Sequence, residues 1–151
     1  MENNRSFFKI IKTDDAKDLP LPMRMSQGAS GIDLYAKVDG DSIIKCGEVQ
    51  IIPTGVCVSV PLGYEVQIRP RSGLAAKHGV TVLNTPGTID SDYRGEICVI
   101  LINLGKVDYT IKRGDRIAQM VISSVVTMDF IEVNTLDDTE RGSGRFGHTG
   151  V

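Results

Sequence analysis

The chain has 151 residues, enough for one domain with a sizeable core. Its 17 Lys+Arg against 19 Asp+Glu leave a net charge of −2, without the basic excess of a nucleic-acid binder, so any anion must be held by local cations. Trp is absent and aromatics make up 5%, so the core is aliphatic; the longest apolar stretch, ICVILI at 97–102, is too short to cross a bilayer.

The first residues, MENNRSFFKIIK, show neither a long apolar run nor a cleavage pattern, so a soluble, cytoplasmic protein is expected. The hydrophobic pattern then runs in period two or in short blocks. Strands are expected at FFKIIK (7–12), IDLYAKV (32–38), EVQIIP (48–53) and GVCVSVP (55–61). YEVQIR (64–69) alternates cleanly, with Tyr64, Val66 and Ile68 on one face. A short helix is expected over SGLAAKHG, with Ser72 as cap, Leu74, Ala75 and Ala76 as helix formers and Gly79 as the stop. Further strands follow at VTVL (80–83), EICVILIN (96–103), DYTIK (108–112), RIAQMVI (116–122) and VTMDFIEV (126–133). Many short strands separated by Gly, Pro, Asn and Asp predict an all-β sandwich or barrel. Apolar periodicity stops near Asp137, which predicts a β domain over 1–136 and a flexible Gly-rich arm over 137–151.

Cys46, Cys57 and Cys98 form no C-x-x-C pair, and His78 and His148 lie far apart. Reduced, buried thiols are expected, rather than a disulfide framework or a zinc site. The terminal RGSGRFGHTG contains G-x-G-x-x-G at Gly142, Gly144 and Gly147. A dinucleotide site needs a helix and an acidic residue after those glycines, and the sequence to Val151 holds neither.

Five stretches are denser in Gly, Asp, Arg and Ser than turns require: SGIDLYA (30–36), PRSGLA (70–75), NTPGTIDSDYRGE (84–96), GDRIAQMV (114–121) and the terminal glycine-rich stretch. Arg71 and Ser72 before a helix suit an anion, although they also suit an ordinary cap and a surface charge. A tight hairpin over 84–96 would present backbone donors and acceptors, with the Asn84 amide, to a pyrimidine edge; the same residues also make a plain polar turn. Asp33 and Asp90 each follow an Ile in a strand-like context, which Asp disfavours. Such a carboxylate suits a hard cation, a water to be activated, plain solvation on an edge strand, or pairing with a nearby Arg. Asp115 and Arg116 read as a structural ion pair. Gln119, in an apolar strand, needs a partner. No G-x-S-x-G or H-E-x-x-H occurs, so attack by a metal-assisted water fits better than covalent catalysis.

In this order and spacing the five stretches resemble the motifs of the trimeric deoxyuridine triphosphatase (dUTPase) family, from about Ser30 to Gly150. The resemblance implies a β jelly-roll that assembles as a homotrimer with shared active sites. It implies hydrolysis of dUTP to dUMP and pyrophosphate with Mg²⁺, supplying dUMP for thymidylate synthesis and keeping uracil out of DNA. Neither nucleic acid nor membrane is an expected partner. Asp90 would activate the attacking water and touch the 3′-hydroxyl, and Asp33 would act on the metal through water. Asn84, Gly87, Thr88, Ile89 and the neighbourhood of Cys98 would read uracil, with Tyr93 under the deoxyribose. Arg71, Ser72, Gly73 and Gln119 would hold the phosphates. The arm would close over the substrate, with Phe146 on the uracil ring and Arg141, Ser143, Gly144, Gly147 and Thr149 on the phosphates. Arg145 and His148 depart from the small residue and the Ser that the pattern has there. A dCTP deaminase, a sister branch, would need a Glu in the strand after the hairpin, where this chain has Ile100. A binding module without chemistry would not need Asp90, Tyr93, Arg71 and the arm together.

Overall fold

The structure is a computed structural model that describes residues 7–144. Ten strands run in the order β1 Lys9–Lys12, β2 Ile32–Tyr35, β3 Ser42–Ile44, β4 Val49–Ser59, β5 Tyr64–Arg69, β6 Val80–Val82, β7 Gly87–Ile89, β8 Glu96–Asn103, β9 Tyr109–Ile111 and β10 Arg116–Ser124. Among the described residues a 3-10 turn covers Asp14–Ala16 and one helix, α1, covers Ser72–His78. Two four-stranded sheets, β1-β4-β8-β6 and β2-β10-β5-β7, are joined by a two-stranded sheet, β3-β9. All pairings are antiparallel. One aliphatic cluster, with Leu34, Val58, Val66, Val82, Leu101 and Met120 among its members, fills the space between the sheets. The expected all-β sandwich with one short helix is the observed architecture.

Alternation decides which side of each strand enters that core. In β5, Val66 and Ile68 are buried and Glu65, Gln67 and Arg69 face outward. Tyr64 shares the inner parity but sits at the strand end and stays exposed. Two bulges break the pattern. In β10 the register with β2 shifts between Arg116 and Ala118, so Ile117 and Ala118 are both buried. In β4 it shifts between Pro53 and Cys57, around Gly55 at φ +71°. The segments 48–53 and 55–61, expected as two strands, are therefore one strand bent at a bulge.

Four other expectations change. Residues 126–133 form no strand and lie exposed, because nothing in their own chain pairs with them among the described residues. The segment 84–96 is not a self-paired hairpin: β7 joins β5 in one sheet, while β8 joins β4 and β6 in the other. The helix is capped by Arg71 rather than Ser72, which is already its first helical residue, and Gly79 ends it in the left-handed region as expected. Cys46 and Cys98 are exposed and Cys57 is half-buried; all three are free, but they sit in a turn or on an outer sheet face rather than in the core.

Asn103, which the sequence did not single out, ties the small sheet to β8. It is fully buried, donates to the carbonyls of Ile44 and Val107 at 2.9 and 2.8 Å, and accepts from the Gly105 amide at 2.9 Å. Every polar atom of that side chain is used, which is what burial demands. Among the described residues no helix is long and apolar enough to cross a membrane.

Candidate active site

The register of the sheet β2-β10-β5-β7 brings distant residues into rows on its outer face. Gln119 lies opposite Asp33 on one side and Arg69 on the other. Gln67 lies between Val121 and Thr88 in the next row. The bulge in β10 matters here. Strict alternation would separate Arg116 from Gln119; with the extra residue Ile117 tucked inward, both face out beside Asp33.

Asp33 is 8% exposed and is gripped from both sides. The Arg71 guanidinium donates to Oδ1 at 3.2 Å and Arg116 to Oδ2 at 3.1 Å. Arg71 also donates to the Arg116 carbonyl at 3.1 Å. The expected Asp115–Arg116 pair is therefore not formed: Arg116 turns to Asp33, and the Asp115 carboxylate accepts the Lys112 amide at 2.8 Å. Two guanidinium charges against one carboxylate leave this trio at +1, and Arg71 and Arg116 are only partly covered. Gln119 finds its partner in the Pro70 carbonyl, at 2.9 Å. Gly31 makes room for it, since a Cβ there would collide with the Gln119 amide. Asp33, Arg71, Ser72, Gly73, Arg116 and Gln119 line one cleft of about 460 Å³. Of the residues expected on the phosphates, Arg71, Ser72, Gly73 and Gln119 thus share one cleft, with Arg116 added, whereas Arg141, Ser143 and Gly144 do not line it. Sequence reasoning missed Arg116, because three residues before Gln119 is the opposite face of a regular strand and the bulge that reverses this leaves no mark on the alternation.

Asp90 lies elsewhere. It is exposed just beyond β7 and lines a second cleft, of about 910 Å³, with Tyr64, Glu65, Ser91, Asp92 and Thr127. Gly87, Thr88 and Ile89 are β7 itself, paired through one edge to Ile68, Gln67 and Val66. β7 ends the sheet, so its other backbone edge is open among the described residues. Asn84 is exposed and packs against Gly87, whose missing Cβ would stand 3.2 Å from the amide nitrogen. Tyr93 is 42% exposed, and its hydroxyl donates to the Glu96 carbonyl at 2.9 Å. Cys98 sits on the outer face of β8, in the other sheet. Partial burial, and then the nearby Glu96 carboxylate, push its thiol up, which argues against a nucleophilic thiolate.

Arg141, Ser143 and Gly144 form a turn with Thr139, through Gly142 to Thr139 at 3.0 Å and Gly144 to Arg141 at 3.0 Å. Phe146, Gly147 and Thr149, with Arg145 and His148, lie outside the described residues.

The family described as dUTPase matches residues 17–150. The deoxyuridine 5'-triphosphate nucleotidohydrolase of Caldanaerobacter subterraneus subsp. tengcongensis is 64% identical over 143 residues, covering 95% of this chain and 97% of the relative. The protein of that name from Ehrlichia canis is 55% identical, with full coverage of both chains. Among solved structures, a Staphylococcus bacteriophage 80alpha dUTPase with dUpNHpp superposes with a TM-score of 0.87 at 24% identity, covering 97% of this chain and all of that one. A dUTPase from phage phi11 of S. aureus, in which a structural Mg(II) ion is coordinated, gives a TM-score of 0.77 at 21% identity, over 88% of this chain and all of that one. The solved structures establish the shared fold; the family match, with relatives this close over nearly the whole length, makes this chain a member of the dUTPase family.

Proposed function

We propose that the chain hydrolyses dUTP to dUMP and pyrophosphate, and that it does so as a homotrimer with shared sites. The observation that carries this reading is one sheet face holding a cationic cleft, around Asp33, Arg71 and Arg116, and a free strand edge that ends in Asp90. A triphosphate needs fixed positive charge and donors, and Arg71, Ser72, Gly73, Arg116 and Gln119 supply them. The open edge of β7, with Asn84, matches the donors and acceptors of uracil. Cytosine would leave buried groups unpaired, and a 5-methyl group would meet the strand. Tyr93 lies under the deoxyribose, and the backbone near Cys98 completes the base pocket.

Asp90 is exposed, so a water and a substrate can reach its carboxylate. Its oxygen takes a proton from water as that water attacks the α-phosphorus; the bond to the bridging oxygen breaks and pyrophosphate leaves. The same carboxylate accepts from the 3′-hydroxyl. Among the described residues no cluster of three or more His, Cys, Asp or Glu could cage a metal, and both Asp33 oxygens are taken by arginines. This donor set fits Mg²⁺ held mainly by phosphate oxygens and water, with Asp33 touching it through water. Bound so, Mg²⁺ would offset phosphate charge in the displacement.

Two observations support the trimer. The outer face of β1-β4-β8-β6 exposes Ile11, Val49, Ile51 and Leu83, an apolar surface that a second copy would cover. The phosphate residues and Asp90 line separate clefts of one chain, as a site completed between subunits requires. The arm, 137–151, would close over the substrate, with Arg141, Ser143, Gly144, Gly147 and Thr149 on the phosphates and Phe146 on uracil. A cytoplasmic location and a supply of dUMP for thymidylate synthesis accompany this reading.

The test is product analysis of dUTP, dCTP, dTTP and UTP with Mg²⁺, by phosphorus NMR and nucleotide chromatography. dUMP and pyrophosphate from dUTP alone are expected. Deamination of dCTP, or binding of dUTP without turnover, would overturn the reading.

A further inference from the structure

Tyr93 stands on the exposed loop between β7 and β8. Its ring folds back over Gly95, where any Cβ would collide with it, and its hydroxyl donates to the Glu96 carbonyl at 2.9 Å. The position of the ring therefore follows the position of Glu96. Glu96 opens β8, opposite Cys57 of β4, and its side chain anchors it further. One carboxylate oxygen accepts the Gly55 amide at 2.6 Å, and Lys37 lies 3.2 Å from that oxygen and 3.3 Å from the other. Lys37 is fixed from behind by Asp15 at 2.7 Å, and this hydrogen bond raises the ammonium above its ordinary range. The Gly55 amide reaches Glu96 because Gly55 sits in the β4 bulge at φ +71°, against the Ala16 methyl, where no side chain fits.

We propose that Glu96, held by Gly55 and Lys37, is a positioning residue that sets how strictly Tyr93 excludes a ribose 2′-hydroxyl. The inference rests on the dUTPase reading of Tyr93 given above. Steric exclusion works only if the wall does not yield, and site groups must hold their geometry within about 0.5 Å. A half-exposed ring on a loop lacks packing that could do this. A carbonyl whose own residue is clamped by an amide and an ammonium supplies the missing rigidity, over a path from the 3-10 turn at Asp14–Ala16 to the sugar pocket.

The experiment measures kcat/KM for dUTP and UTP, with Mg²⁺, on the full chain and on Glu96→Ala, Lys37→Met, Lys37→Arg, Tyr93→Phe and the Tyr93→Phe/Glu96→Ala double variant. Glu96→Ala should lower the dUTP/UTP ratio about tenfold, the size of one hydrogen bond. Lys37→Met should lower it less, and Lys37→Arg should restore it. In the double variant the ratio should match that of Tyr93→Phe alone, because the Glu96 side chain acts on the ring only through the hydroxyl–carbonyl bond that Tyr93→Phe removes. A ratio that holds while both kcat/KM values fall together would make Glu96 a mere strut and overturn the proposal. Additive losses in the double variant would overturn it too. If Glu96→Ala does not fold, the ratios of Lys37→Met and Lys37→Arg decide alone. A wild-type protein inert toward dUTP would bring down the dUTPase reading itself; a normal wild-type ratio unmoved by the variants would bring down only this inference.

Discussion

The two four-stranded sheets bury similar aliphatic inner faces and turn opposite outer faces to the surface. Outside β1-β4-β8-β6 stand Ile11 at 66% exposure, Ile51 at 64% and Leu83 at 51%. Outside β2-β10-β5-β7 stand Glu65, Gln67, Arg69, Thr88 and Gln119, and on β5 they bond to one another, Gln67 to Glu65 at 2.6 Å and Arg69 to Gln67 at 2.6 Å. The difference is already present in the strands. EICVILIN in β8 is apolar on both parities, as in strands covered on both sides, whereas YEVQIR in β5 alternates as a strand with one wet face. On the proposed reading the two outer faces divide the labour, the apolar one meeting another copy of the chain and the polar one the ligand.

The largest effect expected from the polar face is at Asp90. Asp90→Asn keeps the shape and removes the proposed base, so dUTP should still bind while kcat falls about a thousandfold, within the usual range for general-base loss. Retained turnover in that variant would move the chemistry off this face. The apolar face is tested by Ile51→Lys. In the proposed trimer this position is covered by another copy, and burying an unpaired charge there is costly, so the assembly should dissociate in light scattering and activity should fall with it. A variant that stays trimeric would show that the face serves something else.

Arg116 sharpens the comparison further, because the sequence misassigned it. Arg116→Gln should raise KM for dUTP by about tenfold to a hundredfold, the worth of a charge-assisted hydrogen bond, with a smaller effect on kcat. An unchanged KM would reduce Arg116 to a support for Asp33. Its misreading shows where sequence stops being informative. β5 and the helix with its Gly79 stop were legible because each depends on near neighbours in the chain; that Gln119 needs a partner was legible too, but not that the partner is the distant Pro70 carbonyl. Arg116 and Gly55 were not, since a bulge is set by the strand across the ladder and leaves the local pattern almost untouched. The run 126–133 has the composition of a strand, and misled for the complementary reason: alternation reports what a segment can pair with, not whether its own chain supplies the partner. The gathering of Gly31, Asp33, Arg71, Arg116 and Gln119 depends on sheet register, which only the motif resemblance foreshadowed.

The smallest effect lies on neither face. Arg113 clasps the Asp18 carboxylate with bonds of 2.8 and 2.7 Å, and these hold Asp18 down to about 2 from an ordinary 3.8, against a weaker opposing push from desolvation. A carboxyl whose folded value is depressed stabilises the fold above the unfolded value and loses that contribution as protons bind. The contribution of this pair is therefore complete above pH 3.8 and fades as pH falls toward about 2. Arg113→Ala should return the Asp18 titration, followed by carboxyl NMR, toward 3.8 and flatten the fall of Tm across that window. Because the pair is solvent-exposed, the change in Tm at neutral pH should be slight. Turnover of dUTP should not move, since Arg113 lines neither cleft. A loss of activity in Arg113→Ala would mean that the 3-10 turn at Asp14–Ala16, which Arg113 also grips through the Asp15 carbonyl, carries strain to the site; an unshifted Asp18 titration would mean that the clasp does not hold in solution.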